Sequence, residues 1–342
     1  MSLPVICVNS TLAGQSSLIT AGEVAPLHNW GFWPVAGDQV LCHHLNRYEL
    51  ILRARLGGLD IVMLGQLLWH LLRGYRRIYL VTFPDVGTAV PLLKKLFPAL
   101  RIVLWVWTAR DVATHHPVLK HCDHIFCLTE GAVSALDAAG LGERATLQFW
   151  GVDPTYYRSS ADEPELTYDV AFFGQTLRDV EIAARAATEG GFRVVTTASV
   201  FGLRNRGEAA AILRSRVAVK NPGSHQEVIE LFRRCGVSWI PLLAGDEYPT
   251  GYTNLAESLL VGTPVVIADC SVLPRKVLEL PGVYRYRVGD VADFIVKTRA
   301  ALSAGAFDRD FRKTIRHAAA QLLDGRGLSA QIDRLLRHEQ PA

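Results

Sequence analysis

Short β-branched runs alternate with helix-periodic runs along this chain, and they do so twice. In the first half "PVICVN" (4–9), "RIYLVTF" (77–83), "RIVLWVW" (101–107), "HIFCLT" (124–129) and "ATLQFW" (145–150) read as strands. "VGTAVPLLKKLF" and "EGAVSALDAAG" read as helices between them, the second closed by Gly140 as a C-cap. A polar, Pro-bearing stretch, "RSSADEPELT" (158–167), then reads as a linker. The alternation restarts with "YDVAFFG" (168–174), "FRVVTTA" (192–198), "VAVKN" (217–221), "VSWIPLL" (237–243), "PVVIADC" (264–270) and "VYRYRV" (283–288). Strands alternating with helices make parallel βαβ units. The expectation is therefore two doubly wound α/β domains, 1–157 and 168–307, with a basic helical segment, 308–342, able to pack back on the first. A chain of 342 residues is long enough for both.

Composition removes several classes of function. Hydrophobic residues at 49% and charged residues at 20% are the balance of a globular protein. A net charge of +3 gives little electrostatic support to nucleic-acid binding. The start, "MSLPVICVNSTLAG", has no basic region before its apolar run, and "IVMLGQLLWHLL" is interrupted by Gln66 and His70. Neither a signal peptide nor a membrane span is expected, and the expected location is cytoplasmic. "HCDHIFC" offers His121, Cys122, His124 and Cys127 as metal ligands. On a strand, however, Cys122 and Cys127 would point to opposite faces, so the six cysteines are expected in the core. No Asp-x-Asp stands at a strand end, and "DRD" at 308–310 sits in the charged tail, so no metal cofactor is expected.

Ligands of open α/β sheets bind outside the carboxyl ends of the strands. The loop "AGDEYPTGYT" occupies such a place, ahead of the helix "NLAESLLVG". Asn254 is expected as its N-cap and Glu257 at N3, the spacing of a capping box. Two readings stay open. Glu257 caps its own helix, or the helix amides hold an anion such as a diphosphate while Glu257 accepts the hydroxyls of a ribose. In the second reading Gly251 lets a ligand approach the backbone closely. The competing nucleotide and hydrolase signatures, G-x-G-x-x-G, G-x-x-x-x-G-K-[ST] and G-x-S-x-G, are absent.

"GYTNLAESLLVGTPVV" resembles the nucleotide-sugar segment of the GT-B glycosyltransferases, in particular retaining family 4, whose pattern ends "LEAMACGTPVV". Other landmarks follow in the family's order between about 75 and 300: "HCDHIFCLTEGAVSALDAAG", "WGVDPTYY", "YDVAFFG", "SHQEVIELFRRCGVSWIPLL" and "VGDVADFIVKTRAAL". The resemblance implies a GT-B architecture, two Rossmann-like domains facing across a cleft. It also implies metal-independent transfer of a hexose or related sugar from a nucleotide-diphosphate donor, with retention. Such activity belongs to the biosynthesis of glycans, glycolipids or glycosylated metabolites. Residue by residue, it implies that Glu257 holds the ribose, as the second acid of the family's E-x7-E. Gly251, Tyr252, Thr253 and Asn254 form the turn that meets the diphosphate. Gly174, Gln175 and Arg178 form the glycine turn facing the same phosphates, and "KNPGSH" lies beside the base.

The departures from the pattern are specific. Pro249 stands where the first acid would be, leaving Asp246 and Glu247 as nearby substitutes for donor binding. Arg178 is the only base of the usual basic pair, and the family's "HD" falls at Arg110-Asp111. These two are the candidate catalytic residues, Asp111 orienting an acceptor hydroxyl and Arg110 contacting the donor, unless they form a structural ion pair. His115 and His116 are candidates for the acceptor side, for a sugar, lipid-linked or small-molecule acceptor. "HNWGFWP" (28–34) either stacks a ligand or forms a buried turn. Lys94, Lys95 and Arg101 make either a solvated helix face or a weak peripheral contact with the inner face of the membrane. The competing functions are a catalytically silent GT-B protein that binds a glycan or partner, and a sugar-nucleotide epimerase on the same fold.

Overall fold

The computed structural model describes residues 5–8, 39–42, 61–81, 87–149, 151–157, 165–174, 176–201, 207–245, 247–306 and 308–337. Two compact units result. The first comprises Met1–Val152 with Gly325–Ala342, the second Asp153–Asp324. The chain thus enters the second unit ahead of the 158–167 stretch, and its tail divides at 324 rather than at 308.

The first unit holds a parallel six-stranded sheet in the order β2-β1-β3-β4-β5-β6. Its strands are β1 (Val5–Val8), β2 (Gln39–Cys42), β3 (Arg77–Leu80), β4 (Arg101–Val106), β5 (His124–Cys127) and β6 (Ala145–Leu147). Its helices are α1 (Ile61–Leu72), α2 (Val90–Leu96), α3 (Ala109–Leu119) and α4 (Glu130–Ala138). Strands buried on both faces read as continuous apolar runs, and β4 is buried from Ile102 to Val106. The sequence reading did not assign β2, whose four residues, "QVLC", lack a run of β-branched side chains.

The second unit repeats the plan in the order β12-β11-β10-β7-β8-β9, again parallel throughout. Its strands are β7 (Tyr168–Phe172), β8 (Val194–Thr197), β9 (Ala218–Lys220), β10 (Cys235–Ile240), β11 (Val265–Ala268) and β12 (Val283–Tyr286). Helices α5 (Val180–Gly190), α6 (Glu208–Arg216), α7 (His225–Arg233), α8 (Tyr252–Leu260), α9 (Arg275–Leu278) and α10 (Val291–Ala301) lie between and after them. Strand β10 stops before Pro241, which has no N–H to give to a ladder. Trp239 fills the core beside Phe192 and Phe294, and its indole N–H donates to Thr298 Oγ1 at 2.9 Å.

The basic tail serves both units. Helix α11 (Arg309–Leu323) belongs to the second, where the buried Arg312 guanidinium donates to the carbonyls of Cys235 and Arg233 and to Thr263 Oγ1, at 3.1, 2.9 and 3.1 Å. Helix α12 (Leu328–Arg337) belongs to the first. It buries Leu328, Ile332 and Leu336, and the Leu336 carbonyl accepts from Arg77 Nε at 3.0 Å.

Among the described residues Cys122, Cys127 and Cys235 are buried and Cys270 is partly buried, all as free thiols. Burial pushes the Cys122 and Cys127 thiols up to about 12. Among the same residues no helix is long and apolar enough to cross a membrane.

Candidate functional site

In the second sheet the strand order reverses at β7, with β8 and β9 on one side and β10 on the other. Ligands of doubly wound sheets sit at such a reversal, outside the strand carboxyl ends. The loops leaving β7 and β10 there are stitched together. Arg178 pairs with Leu242 in a β-bridge, Asp179 N donates to Pro241 O at 3.0 Å, and Leu243 N donates to Leu177 O at 3.1 Å. Leu177 is held at φ +50°, a left-handed conformation costly for a residue with a Cβ.

Inside this turn Arg178 is 4% exposed. Its Nε donates to Phe173 O at 3.2 Å, Nη1 to Thr176 O at 3.0 Å, and Nη2 to Asn254 Oδ1 at 3.3 Å. Gly174, at φ +94°, leaves room for this guanidinium, because a Cβ there would collide with it and come within 3.0 Å of Asn254 Oδ1. Gly251, at φ +88°, opens α8, and a Cβ there would lie 2.6 Å from Ile240 Cγ2. Both glycines are therefore fixed by conformation and by contact. Gln175 and Asp246 lie outside the described residues.

The expected capping box is absent. Helix α8 starts at Tyr252 with Gly251 as its N-cap, so Asn254 lies within its first turn. The Asn254 side chain turns to Arg178 instead of to a backbone amide, and Glu257 lies a further turn along. The helix starts three residues earlier than the spacing predicts, at the left-handed Gly251 and without a side-chain cap. Thr253 is partly buried beside Asn254, and Tyr252 is fully buried. Glu247 is exposed on the loop ahead of them.

A cleft of about 360 Å³ joins these groups to the ends of β8 and β9. Gly174 and Asn254 line one side, and Lys220, Asn221 and Pro222 another, so the "KNPGSH" loop does meet the glycine turn. Thr197 and Ser199 complete the wall, their hydroxyls 2.7 Å apart. Sequence reasoning passed over both, although they follow a strand end.

Glu257 is 5% exposed, and its Oε1 lies 2.7 Å from His225 Nε2. His225 opens α7, and its Nδ1 lies 3.2 Å from Tyr156 Oη, with the two rings stacked at 5.7 Å. Sequence reasoning missed this link, whose members stand 32 and 69 residues apart. No spacing rule joins such positions.

The first-unit candidates have different surroundings. Asp111 closes a capping box at the start of α3: its Oδ2 accepts from Thr108 N at 2.9 Å, and Thr108 Oγ1 accepts from Asp111 N at 3.1 Å. That local role stands beside the two expected ones, catalysis and an ion pair. Arg110 is exposed beside it. His115 is partly buried, one turn on, and desolvation lowers its pKa although Asp111 pulls the other way. His116 is exposed.

The strand order of the first sheet reverses between β1 and β3, which lead into residues outside the described set, as does "HNWGFWP". The expected basic face is partly neutralised. Lys94 and Arg101 both bind Asp123, at 2.7 and 2.6 Å. Burial pushes the Asp123 carboxyl up, but hydrogen bonds from Lys94, the Ile102 amide and Arg101 outweigh it and hold it below the usual range.

No protein-family model matches this sequence, and no curated protein matches it. Solved structures do match in fold. HepE of Anabaena in complex with UDP aligns with a TM-score of 0.65 at 13% identity, over 99% of this chain and 100% of that one. Sucrose-phosphate synthase of Thermosynechococcus elongatus aligns at 0.66 and 13%, over 98% of each chain. A glycosyltransferase of avilamycin A biosynthesis aligns at 0.62 and 18%, again over 98% of each. At these identities the likeness is one of fold, and the fold is GT-B.

Proposed function

We propose that this chain is a glycosyltransferase that moves a sugar from a nucleoside-diphosphate donor to an acceptor hydroxyl, with retention and without a metal ion. The observation that carries the reading is the buried Arg178 held between Gly174 and Asn254, at the strand reversal and at the start of α8. A diphosphate placed there would meet a fixed guanidinium and the amides of a helix start, both of which favour negative charge. Such preorganised donors stabilise a leaving group as its charge develops. The cleft toward Lys220, Asn221 and Pro222 would take the base, and its volume is that of an ordinary small-molecule site. Glu257, a turn deeper, would accept the ribose hydroxyls.

HepE has been solved with UDP-glucose and with UDP and glucose, which supports a nucleotide-sugar donor and a sugar acceptor for this fold. The resemblance to family 4 implies front-face attack, in which the acceptor hydroxyl passes its proton to the departing phosphate. No strong protein nucleophile is then required, and Asp111 and Arg110 would orient acceptor and donor.

One observation favours a second reading. Pro249, buried, occupies the place of the family's first acid, and a protein lacking that acid can bind a nucleotide sugar without transferring it. A thermal-shift panel of UDP, GDP, ADP and dTDP, followed by titration and assay of donor hydrolysis, tests both. One nucleoside diphosphate should stabilise the protein, and its sugar conjugate should be turned over. Binding without turnover, or no response to any nucleotide, would favour a catalytically silent protein, in the second case one that binds a glycan or partner instead.

A further inference from the structure

Glu257 is an almost fully buried carboxylate whose Oε1 is already engaged. The His225 Nε2 and Glu257 Oε1 atoms are within hydrogen-bond distance, at 2.7 Å, so Nε2–H can donate to the carboxylate. On the other side of the ring Nδ1 lies 3.2 Å from the Tyr156 hydroxyl, which can either donate to it or accept from it. Tyr156 also stacks on the imidazole with 29° between the planes, and Tyr157 meets it edge-on at 6.5 Å. Ser224 caps α7 immediately before His225, accepting from Glu227 N at 3.3 Å, so the backbone that carries the ring is held as well. The imidazole is thus restrained at both nitrogens and on two sides.

We propose that His225, held by Tyr156, is a positioning residue that orients Glu257 toward the ribose and so sets the preference for a ribonucleotide. The proposal rests on the reading of Glu257 as the ribose acceptor. With Oε1 tied to His225 Nε2, the carboxylate cannot rotate without losing a hydrogen bond in a buried site, where such a loss is costly. Oε2 therefore keeps one direction and meets a ribose hydroxyl without reorganising. Freed from His225, the carboxylate has several orientations of similar energy, and binding must select one. That cost falls only on ligands that carry the hydroxyls.

The test compares each of UDP, ADP and GDP with its own 2′,3′-dideoxy analogue, by titration calorimetry on the full-length protein. The wild type should prefer the ribo form by at least about tenfold, the size expected for hydrogen bonds to a charged group. His225→Phe, which keeps a stacked ring and removes the donor, should bring that preference to within about threefold while dideoxy affinity stays the same. His225→Gln supplies an amide donor and should restore most of it. Tyr156→Phe, which keeps the ring and frees Nδ1, should lower the preference partway and serves if His225→Phe does not fold. A role confined to satisfying a buried acid predicts a lower melting temperature with the ribo preference unchanged, and that outcome overturns the proposal. If the wild type binds neither these three nor dTDP, the glycosyltransferase reading itself fails, and this inference with it; binding of dTDP alone would leave that reading standing and overturn the ribonucleotide preference.

Discussion

Among the described residues, a buried ring nitrogen with no hydrogen bond gives His124 a measurable consequence. Its ring sits at the start of β5 against Phe126, with Nε2 buried and unbonded. Desolvation lowers its pKa from the ordinary 6.5 to about 4. The folded state then binds a proton less readily than the unfolded state, so stability contributed by the neutral ring is complete above pH 6.5 and declines as the pH falls toward 4. His124→Leu should flatten that decline, as read from urea midpoints across the window; an unchanged slope would place the acid sensitivity elsewhere. Glu257 gives the second prediction at this scale. Glu257→Gln should weaken nucleoside-diphosphate binding by about 1.5–3 kcal/mol, and unchanged affinity in a folded variant would remove it from the ribose. Its position on the helix after β10 was legible in the sequence, but its hydrogen-bond partner was not. His225 stands in a stretch read for its nearness to the base, and only the packing of α7 against α8 brings it to the carboxylate.

Helix starts decide what several candidate residues do. The Thr108–Asp111 box has the spacing that capping requires, and it was legible in "TARD", yet the acid was weighed only for catalysis or an ion pair. At α8 the error ran the other way: Asn254 and Glu257 have capping spacing, but a left-handed Gly251 starts the helix earlier. Local spacing permits a cap, and the conformation of the preceding residue decides whether it forms. The two roles open to Asp111 can be separated. Thr108→Ala removes the box from its other side and should cost about 1 kcal/mol of stability, with sugar transfer unchanged. Asp111→Asn should bind nucleotide normally and transfer at least about tenfold more slowly, roughly 1.4 kcal/mol in the barrier. Equal turnover in the two variants would leave Asp111 as a cap alone.

At the scale of the molecule, strand–helix alternation was enough to read two parallel α/β units, because each βαβ step is local. It could not supply strand order, which depends on pairings such as Val170 with Val237 that join distant segments. That order places the reversal at β7 and β10, and hence the loops that carry Gly174 and Gly251 side by side. The division of the tail was equally hidden, since α11 and α12 are both basic and amphipathic and differ only in what they cover. Gly325 marks the change: its amide donates to Val152 O at 2.9 Å, and a Cβ there would come within 2.6 Å of the Gly151 backbone. From that point α12 returns to the first unit, covering β3 and β4 with Leu328, Ile332 and Leu336. Burying three such side chains stabilises by about 1.5–3 kcal/mol each, a large share of what holds an ordinary domain folded. A chain ending at Asp324 should therefore lose hydrogen-exchange protection in β3 and β4 while β10 and β11, with α11 still in place, keep theirs. Equal protection in both sheets would mean that α12 covers the first unit without holding it together.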